Sequence, residues 1–219
     1  NIWHLALPMM VGNLFQDAFT IVDMIFVGKL GPSAIAAVGM SGTIQGMLFT
    51  FIFGISMGTI AIVARFIGSK NIPEAENVAM QSIFLGLICY FGIAIIGYLL
   101  SSYSLEILGA ESDVILQGTA YMKVSFVGSI TMILSVVLSA ILNASGDAIT
   151  PVKTLIAATI SNIILDPLFI FGWLGFPEMG VVGSALATVL SRGISVTILL
   201  YVLLKGRSII HLKITNVKI

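Results

Sequence analysis

Long apolar stretches separated by short polar breaks form the dominant pattern of this 219-residue chain. A helix that crosses a membrane needs about 20 mostly apolar residues, and six stretches reach that length. The pattern therefore predicts an all-α integral membrane protein built as a six-helix transmembrane bundle. The predicted spans cover residues 5–28, 34–64, 78–101, 120–145, 152–174 and 180–204.

The distribution of basic residues predicts how the bundle is oriented. Counting loops from the N-terminus, the odd loops contain only Lys29, whereas the even loops and the tail contain Arg65, Lys70, Lys153, Lys205, Arg207, Lys213 and Lys218. Lysine and arginine are enriched on the cytoplasmic side of membrane proteins. We therefore expect both termini to be cytoplasmic. Lys123 and Arg192 lie near span ends or within spans and do not enter this count.

Composition excludes several classes of protein. Only 9% of residues are charged and 58% are hydrophobic, whereas about 25% are charged in an ordinary soluble domain. The net charge of zero gives no electrostatic reason to expect a nucleic-acid partner. Cys89 is the only cysteine, so neither an internal disulfide nor a multi-cysteine zinc site is expected. His4 and His211 lie near opposite ends and are not expected to meet at a metal.

The N-terminal residues do not resemble a cleaved signal peptide, because a basic n-region is absent. The sequence begins with Asn1 rather than Met, so we expect residues before it to be missing.

Three acids, Asp17, Asp23 and Asp166, lie inside the apolar stretches. A carboxylate at the centre of a membrane costs at least ~2.5 kcal/mol. Such a residue usually faces the bundle interior or a water-filled cavity, where it serves an ion, a proton or a substrate. These three positions favour a function in transport.

The first span carries a polar stripe. Asn13, Gln16, Thr20 and Asp23 follow one another at intervals of three, four and three residues, which stacks them on one helical face. Asp17 lies at the edge of that stripe. The uncharged side chains either line a cavity or join neighbouring helices through hydrogen bonds. For Asp23 a functional role is favoured over a packing role.

The fifth span combines an amide with an acid. Asn162 and Asp166 are four residues apart and share a face with Thr159. Pro167 follows the acid directly, so we expect the helix to be interrupted there. Interrupted membrane helices commonly line cation sites, because their freed carbonyl groups bind the ion. The alternative is a simple kink in which Asp166 caps a neighbouring group.

Further polar or helix-bending positions lie in other spans. Pro8 and Gly12, one turn apart, are expected to bend the first helix. In the fourth span, Ser139 and Asn143 share a face and Tyr121 lies near the outer end, and packing roles are favoured from the residue types alone. Hydroxyl groups in the sixth span, at Ser184 and Thr188, either complete an oxygen shell or permit close packing.

Two membrane acids on different helices, with an amide and a hydroxyl, suit two kinds of chemistry. They can replace the hydration shell of Na⁺ with oxygen ligands, or a desolvated carboxylic acid can carry a proton near neutral pH. In both cases occupancy changes the buried charge and lets the helices repack. That coupling allows an ion gradient to drive alternating access.

Several motifs, taken in order, resemble the multidrug and toxic compound extrusion (MATE) family of transporters. They span nearly the whole chain: Pro8, Gly12, Gln16 and Asp23 followed by Val27-Gly-Lys-Leu-Gly31; Ala64-Arg-Phe-Ile-Gly68; Leu142-Asn-Ala-Ser-Gly-Asp147 before Pro151; Asn162-Ile-Ile-Leu-Asp-Pro167; and Glu178-Met-Gly-Val-Val-Gly-Ser-Ala-Leu-Ala-Thr188.

The resemblance implies an antiporter, not an enzyme, that exports amphipathic and often cationic compounds in exchange for Na⁺ or H⁺. It implies no cofactor beyond that coupling ion. The implied cation site, a possible Na⁺ site, contains Asp23, Asn162, Asp166 and a hydroxyl from Ser184 or Thr188. The implied substrate cavity is lined by residues matching Gln16, Tyr121, Ser139 and Asn143, and we assign Asn13 and Thr20 to it as well. Asp17 matches no hallmark of the family.

The chain departs from the family in one respect. Members have two six-helix lobes, whereas this sequence accounts for one, at residues 1–205, followed by the start of an inter-lobe linker at 206–219. We therefore expect an N-terminal lobe of a longer or split protein. Its expected partners are a C-terminal lobe or a second copy, the lipid bilayer and a small amphipathic substrate. The expected location is a cell membrane, the plasma membrane of a prokaryote.

Three alternatives remain at this point. Lipid-linked oligosaccharide flippases of the same superfamily generally use a cationic cavity, whereas the membrane charges here are mostly acidic. Intramembrane aspartyl proteases carry Gly-x-Gly-Asp, and the nearest sequence, Ala144-Ser-Gly-Asp147, lacks the first glycine. A passive channel is disfavoured, because nothing resembles a filter of repeated carbonyls or a ring of charges.

Overall fold

The computed structural model of the chain describes residues 2–205 and 208–210, with the side chains of residues 2–6 and 9 left out of that description. This part folds into six α-helices and one short 3₁₀ helix, Trp173–Gly175, and contains no strand, which confirms the predicted fold class. The helices are α1 (Ile2–Gly28), α2 (Pro32–Gly68), α3 (Ile72–Ile107), α4 (Ser112–Ala144), α5 (Ile149–Ile170) and α6 (Val181–Leu204). Each of the six is long and apolar enough to cross a membrane. The side chains of His4 and His211 and most of the predicted linker, 206–219, lie outside the described residues.

Several helix boundaries differ from the predicted spans. Helices α2, α3 and α4 contain 37, 36 and 33 residues, so they continue past the apolar stretches into polar sequence. At the start of α3, the side chain of Asn71 accepts a hydrogen bond from the backbone N–H of Glu74, and Pro73 occupies the first turn. These residue types stabilise helix starts, so α3 begins earlier than hydrophobicity alone indicates. The predicted end of the fifth span at 174 is also wrong, since α5 ends at Ile170.

Helix α4 forms the centre of the bundle, packed against α2, α3 and α6, while α5 lies between α1 and α6. One apolar cluster, which includes Ile52 and Phe126, fills the half of the bundle near the α1–α2 turn. A second cluster, which includes Leu138 and Leu199, fills the other half. Large apolar side chains also cover the outside of the bundle, as expected for a surface that faces lipid.

The expected interruption at Pro167 is wrong, because α5 continues as a helix to Ile170. Proline removes one hydrogen bond, the one to the carbonyl of Ile163, and a loss so close to the helix end is tolerated. The backbone N–H of Phe171 still bonds to the carbonyl of Pro167, at 3.3 Å. Helix α1 likewise runs through Pro8 without a break. A bend at Pro8 stays a prediction.

A tight connection holds the start of α6 against the end of α5. Two backbone N–H groups, of Met179 and Gly180, donate to the carbonyls of Phe169 and Ile170 at 3.0 and 3.2 Å. Gly183 then passes so close to α5 that a Cβ atom there would lie 2.3 Å from the carbonyl oxygen of Phe169. Only glycine permits this approach, so it fixes the first turn of α6 relative to α5.

Candidate functional site

Asp23 joins α1 to α6 through one short hydrogen bond. The hydroxyl of Ser184 donates to Oδ1 of Asp23 at 2.6 Å, a length typical of bonds to a charged carboxylate. Asp23 is 8% exposed and Ser184 is fully buried. Ser184 is therefore the sixth-helix hydroxyl that contacts Asp23. Thr188 lies one turn further along α6 and makes no side-chain hydrogen bond within the described part of the chain.

The amide and the acid of α5 contact each other. Nδ2 of Asn162 donates to Oδ1 of Asp166 at 3.1 Å, and both side chains are fully buried. Their other oxygens, Oδ1 of Asn162 and Oδ2 of Asp166, are buried without a hydrogen-bond partner among the described residues. An unpaired buried polar atom costs about 1–3 kcal/mol. The α5 pair therefore presents two free acceptor atoms inside the bundle.

Four helices converge on these acids. Helix α1, which carries Asp23, packs against α5, which carries Asp166. The buried side chain of Tyr121, from α4, belongs to the same core cluster as Val27 of α1, Ile170 of α5 and Ala185 of α6. We refer to Asp23, Tyr121, Asn162, Asp166 and Ser184 as the acid layer. The structure pairs Asp23 with Ser184 and Asn162 with Asp166 through hydrogen bonds, and a cation site formed by all four stays a prediction.

The atoms of the acid layer that could bind a cation are all oxygens: two carboxylates, an amide oxygen, and the hydroxyls of Tyr121 and Ser184. Hard cations prefer such ligands, and a bound Na⁺ would satisfy the two free oxygens of the α5 pair. A proton shared between neighbouring carboxyl groups relieves their repulsion in a different way. The chemistry of the donor set therefore fits a monovalent cation, either Na⁺ or H⁺.

A second polar contact joins α1 and α6, closer to the N-terminus of α1 and further along α6 than the bond between Asp23 and Ser184. Nη2 of Arg192 donates to Oε1 of Gln16 at 3.0 Å, and the guanidinium lies 4.7 Å from the ring centroid of Phe19. Arg192 is only 8% exposed. Arg192 is not among the residues predicted to form the site, although Ser184, Thr188 and Arg192 follow one another at intervals of four residues. That spacing was the available signal, since it places all three on one face of α6.

The predicted stripe of α1 divides between two sides of the helix. Gln16 and Asp23 point toward α6, whereas Asn13 and Thr20 are exposed together with Asp17. Positions spaced by seven residues nearly coincide around a helix, so Asn13 with Thr20 and Gln16 with Asp23 form two pairs, which are centred about 60° apart. The hydroxyl of Thr20 turns back to the backbone carbonyl of Gln16, at 3.2 Å.

The remaining predicted residues lie apart from the acid layer. Ser139 and Asn143 are half-buried on α4, and by helical rise they lie about 27 and 33 Å along the helix from Tyr121. The three α4 residues assigned to one cavity therefore do not meet. Gly12 lies against α5, where a Cβ atom would be 3.3 Å from Cγ2 of Val152.

The acid of the protease-like sequence also lies outside the acid layer. Oδ1 of Asp147 accepts hydrogen bonds from the backbone N–H groups of Ile149 and Thr150, at 3.2 and 2.9 Å. It therefore satisfies N–H groups that the first turn of α5 leaves without helical partners.

Six apolar helices with carboxyl groups buried between them define a multi-pass membrane protein of the kind that serves transport. The MatE family model matches residues 8–168, and the chain belongs to this family. The resemblance seen in the sequence is confirmed. As a member with bacterial relatives and six spanning helices, the chain is a multi-pass protein of the cell membrane.

Related proteins are about twice as long as this chain. The probable multidrug resistance protein NorM of Thermotoga maritima is 34% identical over 203 residues, covering 92% of this chain and 43% of that protein. The multidrug export protein MepA of Staphylococcus saprophyticus is 29% identical over 218 residues, covering 98% and 47%. A solved structure described as the outward-facing conformation of a multidrug resistance MATE family transporter has a TM-score of 0.91 and 30% identity, covering 100% and 48%. The chain thus spans about half the length of the relatives it matches.

Proposed function

We propose that the intact protein is a cation-coupled antiporter that exports amphipathic, often cationic drugs or toxic compounds by alternating access. The observation that carries the proposal is the acid layer, in which the carboxyl groups of Asp23 on α1 and Asp166 on α5 are buried on helices that pack against each other. The relatives named as multidrug resistance and multidrug export proteins support the same class of substrate.

In the proposed mechanism, the coupling cation binds the free oxygens of Asn162 and Asp166 and reduces the repulsion between Asp166 and Asp23. In this cation-bound arrangement, Asp23 lies closer to α5 and α6 than it does without the cation, and the hydroxyl of Ser184 holds it there. When the cation leaves, repulsion between the carboxylates favours a different packing of α1. Because the ion interacts differently with the two arrangements, its gradient shifts the equilibrium between them.

The exposed polar face of α1 supports a second lobe as partner. Asn13, Asp17 and Thr20 are exposed on a helix long enough to span the membrane. A carboxylate facing lipid costs at least ~2.5 kcal/mol, so this face is better suited to a water-filled cleft. We propose that the cleft lies between this lobe and a second six-helix lobe, either a C-terminal lobe or a second copy. The distribution of lysine and arginine supports cytoplasmic termini.

Thermal unfolding of the detergent-solubilised intact protein tests the cation site. Melting is compared in NaCl, KCl and choline chloride at equal ionic strength. A ligand at 100 times its dissociation constant adds about 2.7 kcal/mol, so stabilisation by Na⁺ is expected in the wild type and is expected to disappear in Asp23→Asn. The control is Asp17→Asn, which makes the same chemical change on the exposed side of α1 and should retain the effect. The melts are repeated across a range of pH to detect a bound proton. Equal melting of wild type and Asp23→Asn in every salt and at every pH would contradict the proposed site.

Efflux from cells tests the coupling. Asp23→Asn in the intact protein is expected to abolish gradient-driven efflux of a fluorescent lipophilic cation while membrane expression stays normal. Asp113→Asn, at an exposed position in the first turn of α4, is the matched control and should transport normally. Efflux by Asp23→Asn at the wild-type rate would refute coupling through this acid.

A further inference from the structure

Arg192 is the third charged side chain buried in the described part of the bundle, beside Asp23 and Asp166. It occupies the middle of α6, and its contacts, the amide oxygen of Gln16 and the ring of Phe19, are both uncharged. A guanidinium stays protonated in proteins. With both carboxyl groups ionised, the buried charges are two negative and one positive, which leaves one negative charge in excess.

The distance from this positive charge to the acid layer follows from helical geometry. Gln16 precedes Asp23 by seven residues on α1, a rise of about 10 Å. Ser184 precedes Arg192 by eight residues on α6, a rise of about 12 Å. The helices run in opposite directions and make both contacts, so the two estimates describe the same separation. The guanidinium therefore lies about two helical turns from the acid layer.

We propose that Arg192 is a fixed counter-charge that limits the acid layer to one monovalent cation and weakens the binding of that cation. The inference rests on the proposed cation coupling. One monovalent cation brings the three buried charges to neutrality, whereas a second would leave an excess positive charge in a medium that solvates it poorly. Two unit charges about 10 Å apart, at an effective dielectric constant of about 20, change a binding constant on the order of tenfold. The arginine thus favours release of the ion, a step that every transport cycle requires.

Equilibrium binding of ²²Na⁺ to the detergent-solubilised intact protein tests the proposal, with Asp23→Asn measuring the background from other sites. The wild type is expected to bind one ion at the Asp23-dependent site. Arg192→Gln removes the charge and is expected to lower the dissociation constant on the order of tenfold. Arg192→Lys keeps the charge but loses the planar guanidinium, and is expected to bind Na⁺ within about twofold of the wild type. If binding is carried by H⁺, the same variants are compared by proton uptake.

A second variant keeps the proposal testable if Arg192→Gln does not fold. Gln16→Glu places a carboxylate against the guanidinium and offsets its charge without removing the side chain, so it should also tighten cation binding. Three results would each overturn the inference. The wild type would bind two ions per site, the folded Arg192→Gln and Gln16→Glu variants would bind the cation with unchanged affinity, or Arg192→Lys would tighten binding as much as Arg192→Gln does. A wild type without Asp23-dependent binding of either Na⁺ or H⁺ would instead overturn the proposed function, and this inference with it.

Discussion

Replacing Gly183 with alanine tests how α5 and α6 assemble the acid layer. A Cβ atom at this position would lie 2.3 Å from the carbonyl oxygen of Phe169, 2.5 Å from its carbonyl carbon and 2.8 Å from the backbone nitrogen of Ile170. These are backbone atoms, so no side-chain rotation relieves the overlap. An ordinary contact of about 3.4 Å requires the first turn of α6 to move by about 1 Å, and we expect this shift to disturb the bond between Ser184 and Asp23.

The expected net effect combines two opposing contributions. Alanine in a helix interior is favoured over glycine by roughly 0.5–1 kcal/mol, whereas overpacking costs typically 1–3 kcal/mol. Because the clash involves backbone, we expect Gly183→Ala to lower the free energy of unfolding by about 1–2 kcal/mol and to weaken stabilisation by Na⁺. Gly193→Ala, on the same helix, is the matched control, since its Cβ atom would lie 3.8 Å from Cγ2 of Thr131, an ordinary contact.

Both variants are measured by unfolding in mixed micelles with increasing SDS, followed by tryptophan fluorescence, with and without NaCl. Gly193→Ala should be as stable as the wild type or slightly more so. The reasoning is refuted if Gly183→Ala matches the wild type in stability and in its response to Na⁺. That outcome would show that the approach of α6 to α5 does not set the geometry of the acid layer.

Two further predictions concern contacts that hold the bundle together, and both are checked by the same unfolding assay. Asp147→Ala removes the acceptor for two backbone N–H groups at the start of α5 and is expected to lower the free energy of unfolding by about 1 kcal/mol. Asp113→Ala, at an exposed site without such bonds, is the control and should lower it less. Equal losses in the two variants would contradict the capping role of Asp147. Thr59→Val removes the hydroxyl that donates to Ser82 at 2.9 Å between α2 and α3, with an expected cost of about 0.6 kcal/mol. Adding Ser82→Ala to Thr59→Val should then cost little more, and fully additive losses would argue against the shared bond.

The sequence predicted the six helices because the length and apolar character of a membrane span are local properties. The sequence also marked Asp23 and the pair of Asn162 and Asp166, since acids within apolar helices and residues four apart are visible without a structure, whereas their grouping into one cation site followed from the resemblance to the family. It did not predict helix ends such as that of α3, where polar capping residues extend the helix beyond its apolar stretch. The expected break at Pro167 was wrong because a proline in a final turn removes only one helical hydrogen bond.

Other features depend on packing between helices that are distant in sequence. Ser184 and Thr188 lie on one face of α6, so the sequence alone does not show which hydroxyl contacts Asp23. The close approach of Gly183 to α5 sets how far α6 is shifted along α5, and this shift places Ser184 against Asp23. Similarly, the polar residues of α1 follow one helical periodicity in the sequence, but they lie in two different environments in the structure. Helix α6 covers Gln16, whereas Asn13 is exposed.

The contact between Asp23 and Ser184 also has a consequence for biosynthesis. The two residues are 161 positions apart, and chain elongation at about 5–20 residues per second separates their synthesis by roughly 10–30 s. During that interval α1 is complete but its partner on α6 has not yet been made. A carboxyl group that has no partner is poorly tolerated by lipid, so α1 needs a hydrated or protein-lined shelter at the insertion machinery. We therefore expect α1 to enter the bilayer together with later helices rather than as the first independent span.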